Sequence, residues 1–66
     1  MGQETKREMA ARHVMSAKRI IANQKSLIER LRLAGLATDN SEALLDQFER
    51  TLQLFEEDLH RIEAER

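Results

Sequence analysis

Apolar positions fall into two periodic segments separated by one break. In the first segment Ala10, Val14, Ala17, Ile21, Gln24, Ile28 and Leu31 recur at alternating steps of four and three, with Gln24 the one polar member. In the second, Leu45, Phe48, Leu52, Phe55, Leu59 and Ile62 recur at steps of three and four. Such spacing holds one apolar stripe on one face of an α-helix, the a/d repeat of helices packed side by side. The break is Gly35-Leu36-Ala37-Thr38-Asp39-Asn40-Ser41. Gly35 can take the left-handed conformation that closes a helix, and Leu36 then suits the apolar contact that accompanies such a cap. Thr38 is placed as the second N-cap, and Asp39 with Glu42 resembles a capping box. The pattern predicts a helix over about 4–34, a turn at 35–38 and a helix over about 39–64. A short connection makes such helices antiparallel neighbours. The expected fold is therefore all-α, a single coiled-coil-like helical hairpin over 1–66.

Folded about the break with a facing d, Leu31 meets Leu45, Ile28 meets Phe48 and Gln24 meets Leu52. Ile21 then meets Phe55, Ala17 meets Leu59 and Val14 meets Ile62. The e positions flank one side of this seam: Ala11, Lys18, Lys25 and Arg32 in the first helix, and Glu42, Glu49, Glu56 and Glu63 in the second. They predict the ion pairs Arg32–Glu42, Lys25–Glu49 and Lys18–Glu56. Exposed pairs of this kind stabilise by ~0–1 kcal/mol each, and their larger effect is to disfavour wrong pairings.

The g positions flank the other side. They are His13, Ile20, Leu27 and Ala34 in the first helix and Leu44, Thr51 and Asp58 in the second. Ile20 and Leu27 widen the apolar stripe beyond what one partner helix covers. Burying a large apolar side chain gains roughly 1.5–3 kcal/mol, and a hairpin with one seam is marginal. A second copy on a two-fold axis, giving a four-helix bundle, is the simplest second layer. The predicted interface is His13, Ile20, Leu27, Ala34, Leu44 and Thr51; a helix of another protein on the same stripe is the rival. Leu33, Leu36, Leu54 and Met15 fall outside the a, d and g positions.

Composition agrees. Ala, Glu, Lys, Leu and Arg supply 37 of 66 residues, a balance typical of long helices. The chain has no cysteine, no proline and two glycines, which excludes disulfides, thiolate metal sites and a Gly-rich phosphate loop. The net charge is −1, but residues 1–34 carry eight Lys/Arg against three Glu, and residues 35–66 three Arg against nine Asp/Glu. Two helices attracting each other account for this asymmetry without an outside partner. No apolar run reaches transmembrane length, and Met1 to Arg12 lacks the apolar core of a signal peptide. The expectation is a cytoplasmic protein with no membrane partner.

Chemistry is sparse. His13 lies at a g position, where a packed interface residue and a pH-responsive contact are the two readings. Glu57 and His60 have the Glu-x-x-His spacing of carboxylate-bridged di-metal bundles, but they fall at f and b, facing solvent. His60 also lacks the following proline of a histidine-kinase box. No nucleophile–base pair shares a pocket, so an enzyme, a cofactor and a metal are not expected. Lys6, Arg7, Arg12, Lys18 and Arg19 crowd the first half of the first helix, where contacts to phosphate would give salt-dependent binding. Lys6, Arg7, Arg12 and Arg19 are the candidate nucleic-acid contacts, opposed by the acidic second helix and the want of an aromatic stacking platform.

The run Ile20-Ile21-x-x-Gln24-x-x-Leu27-Ile28-x-x-Leu31, then Gly35-x-x-Thr38, then Ala43-Leu44-Leu45-x-x-Phe48-x-x-Thr51-Leu52-x-x-Phe55 resembles a group of short uncharacterised two-helix proteins of alphaproteobacteria. The likeness covers roughly residues 18–62, and much of it is heptad. It implies a bacterial cytoplasmic protein and brings no activity with it. The sequence is read as a small non-enzymatic interaction module, self-associating through the stripe of the first helix. The runner-up is a weak nucleic-acid-binding or regulatory protein using the basic N-terminal half of that helix.

Overall fold

The computed structural model describes residues 4–65; residues 1–3 and 66 of the expected domain lie outside the described residues. Two helices pack against each other, α1 over Lys6–Leu33 and α2 over Asp39–Ala64. Each end has a local cause. Thr5 caps α1: its hydroxyl accepts from the Glu8 amide at 3.0 Å, and the Glu8 carboxylate accepts from the Thr5 amide at 3.3 Å. This is a full capping box, and it starts α1 two residues later than the spacing predicts. At the other end Gly35 stands at φ 74°, its amide donating to the Arg32 carbonyl while the Leu36 amide donates to that of Leu31. These are the two bonds of a Schellman cap, which needs a left-handed residue where Gly35 stands.

Thr38 is the N-cap of α2, as predicted, but the Asp39–Glu42 box does not form. The Thr38 hydroxyl instead donates to the Glu42 carboxylate at 3.1 Å. Thr38 sits at φ −118°, ψ 4° rather than in the extended backbone usual for a capping residue.

The seam residues of α1 are those the heptad selects: Ala10, Val14, Ala17, Ile21, Gln24 and Ile28 are all buried. Their partners are not those the sequence register selects. Phe55 lies against His13, ring centroids 5.2 Å apart, two turns before Ile21. Gln24 donates its amide to the Ser41 carbonyl at 2.8 Å, far from Leu52. Ala17 and Ile20 share a cavity wall with Phe48 and Thr51, while Lys6 and Arg7 reach Glu65 and Glu63 at the far end. The helices are therefore shifted by about one heptad from the expected register, with a still facing d. The reason lies in the helix ends. The expected register would leave the first two turns of α1 without a partner, whereas the observed one sets Lys6–Leu33 alongside nearly the whole of α2.

The molecule extends 51 × 25 × 12 Å. Its smallest dimension is about that of a single helix, roughly 10–12 Å. One layer cannot enclose both stripes: α2 has no buried residue, and Leu45, Phe48, Leu52, Phe55, Leu59 and Ile62 are all half-buried.

Candidate interaction face

The two sides of the hairpin differ in charge. On the e side, Arg32 reaches Glu42 at 3.6 Å, the first of the three predicted pairs. Among the described residues, neither Lys25–Glu49 nor Lys18–Glu56 comes within 4.0 Å. The one-heptad shift sets Lys25 level with Glu42 and Lys18 level with Glu49 instead. Charge complementarity survives the shift, because every e position of α2 is Glu.

The other side, made by the c and g positions, is uncharged over most of its length. On α1 it runs through Met9, His13, Ser16, Ile20, Asn23 and Leu27, and on α2 through Asn40, Leu44, Gln47, Thr51 and Leu54. Ile20 is 45% exposed, Leu44 41% and Leu54 64%. Between the helices on this side lies a groove of about 310 Å³ lined by His13, Ser16, Ala17, Ile20, Phe48, Thr51 and Phe55. The structure thus brings His13, Ile20 and Thr51 together in one site. Leu27 is half-buried and Leu44 exposed two turns nearer the connection. Ala34 is the exposed C-cap of α1, beyond the groove. The sequence reading did not place Phe48 and Phe55 in this site. Their d positions mark them as seam residues, and only the single-layer thickness leaves their edges open.

At the open end of the hairpin a cleft of about 330 Å³ lies between Lys6, Met9, Ala10 and His13 of α1 and Asp58, Arg61, Ile62 and Glu65 at the C-terminal end of α2. Its charges are matched, Lys6 with Glu65 at 3.7 Å and Arg61 with Asp58 at 3.3 Å. Arg12 grips Glu4 through two bonds of 2.9 and 2.8 Å. The hydrogen bonds from Arg12 hold the Glu4 carboxyl below its ordinary range, and Glu4 in turn raises the Arg12 guanidinium. Three of the four candidate nucleic-acid contacts, Lys6, Arg7 and Arg12, thus have a carboxylate within 4.0 Å, and Arg19 is exposed. Glu57 and His60 are both exposed, and among the described residues no group of three or more His, Cys, Asp or Glu is arranged to hold an ion. No helix among them is long and apolar enough to cross a membrane. Comparison with protein families, with curated proteins and with solved structures finds no match to this chain.

Proposed function

We propose that the protein is a small non-enzymatic interaction module that works by pairing with a second copy of itself through the uncharged c/g face. The observation that carries this reading is surface area. The chain exposes 5504 Å², whereas a compact monomer of 7.7 kDa exposes roughly 4,300 Å². The excess, on the order of 1,200 Å² by the same scaling, is comparable to the ~800 Å² that each partner buries in a standard interface. The excess is apolar where it matters: no residue of the α2 stripe is buried, and Ile20, Leu44 and Leu54 stand exposed on the same side. A second uncharged face meets it without desolvating an unpaired charge, the chief penalty in burying a surface. The pair is a four-helix bundle, in which both stripes of each hairpin acquire a second layer.

Molar mass by light scattering across a concentration series tests this. The expected mass is about twice 7.7 kDa, falling toward the monomer on dilution. Ile20→Glu puts a carboxylate in the centre of the face and should leave a helical monomer at concentrations where the parent is paired. A well-folded chain that stays at 7.7 kDa throughout overturns the reading.

A further inference from the structure

The pairing proposed above admits two arrangements on a two-fold axis. With the axis across the helices, the turns lie at opposite ends, α1 covers α1 and α2 covers α2. With the axis along the helices, both turns lie at one end and α1 of each copy covers α2 of the other. We infer that the second copy takes the along-axis arrangement, so that Ile20 of one copy lies level with the partner's Thr51, and Leu27 with the partner's Leu44. This inference rests on the pairing itself and adds its geometry.

Two independent features of the hairpin support it. The first is charge. α1 holds eight Lys/Arg and two Glu, whereas α2 holds eight Asp/Glu and two Arg. Covering α1 with α1 sets two helices of net +6 side by side, and two of net −6 beside them. The along-axis arrangement alternates the signs around the bundle. Most of these charges, Lys6, Arg30, Asp58 and Arg61 apart, lie off the c and g positions of the shared face, so their effect is a long-range preference between arrangements, screened by salt over ~8–10 Å. The second feature is size. Both phenylalanines are in α2, whereas α1 presents Ser16 and Ala17 to the groove beside Ile20. Packed layers fill best when large side chains face small ones. The along-axis arrangement sets the open edges of Phe48 and Phe55 against the smaller residues of α1. The alternative stacks aromatic helix on aromatic helix and leaves the small residues facing each other.

The chain has no cysteine, so single-cysteine variants report the arrangement directly. Ile20→Cys and Thr51→Cys alter two exposed positions. The two proteins are mixed, allowed to exchange subunits, and treated with a short bismaleimide. Light scattering before treatment confirms that each remains paired, and circular dichroism that each remains helical. The expected product is the mixed conjugate, joining the Ile20→Cys chain to the Thr51→Cys chain, several-fold in excess of either same-position conjugate. A dominant same-position conjugate of Ile20→Cys, or no mixed product above that in denaturant, overturns the arrangement. In either case a mass near twice the monomer leaves the pairing itself standing, whereas a parent chain that is monomeric at every concentration removes both. Should Ile20→Cys weaken pairing, Leu27→Cys mixed with Leu44→Cys asks the same question one layer along.

Discussion

Replacing Gln24 by leucine separates what stabilises the hairpin from what sets its register. Gln24 is 8% exposed and donates one bond, at 2.8 Å, to the Ser41 carbonyl in the first turn of α2. A neutral hydrogen bond of this kind contributes about 1 kcal/mol net. Leucine in its place adds two apolar carbons at ~0.8 kcal/mol each. Gln24→Leu should therefore raise stability by a few tenths to about 1 kcal/mol, or a few degrees in Tm for a domain of this size. The second effect runs the other way. A slip of one heptad would set Gln24 opposite Leu52 and leave its amide unpaired, at a cost of about 1–3 kcal/mol. Leucine removes that penalty. Thermal unfolding at fixed protein concentration reads the first effect. Cross-relaxation between the rings of His13 and Phe55, 5.2 Å apart in this register, reads the second. The variant should melt higher while that cross-peak weakens or broadens. A loss of about 1 kcal/mol or more, with the cross-peak at full strength, would show that the Gln24 bond stabilises and does not select.

Gly35→Ala should destabilise by about 1–2 kcal/mol, since a side chain at φ 74° is strained although the added methyl meets nothing within 4 Å. Gly35→Asn, which tolerates this conformation better, should recover part of that in urea unfolding. Glu4 has a lowered carboxyl pKa because Arg12 binds its charged form. Its contribution is therefore present above the unfolded pKa and lost as pH falls through the lower folded one. A carboxyl titration by NMR should place Glu4 below the ordinary 4.5, and Arg12→Ala should return it there; no difference between the two proteins refutes the contact in solution.

Much of the fold is legible because its causes are local. Gly35 and Thr38 end and begin helices through bonds to their own neighbours, and the stripe of α1 from Ala10 to Ile28 is buried residue for residue as the heptad reads it. Thr5 and Glu8 carry an equally local signal, a threonine with a glutamate three residues on, which the apolar spacing does not register. The candidate site was half legible. His13, Ile20 and Thr51 follow from the g positions, whereas Phe48 and Phe55 enter the groove only because the hairpin is one layer thick.

Register is where the sequence reading failed: the pairing it selected is displaced by about one heptad from the one observed. The apolar stripes and the e-position charges share one period of seven residues, so a slip of one heptad again sets a against d and Lys against Glu. Neither pattern distinguishes the two pairings. The tertiary structure decides through features without that period: the ends of α1 and α2, which overlap almost fully in one register alone, and the buried amide of Gln24, which finds the Ser41 carbonyl there. A repeating pattern fixes which faces meet; the non-repeating ends and the single buried polar group fix where along the helices they meet.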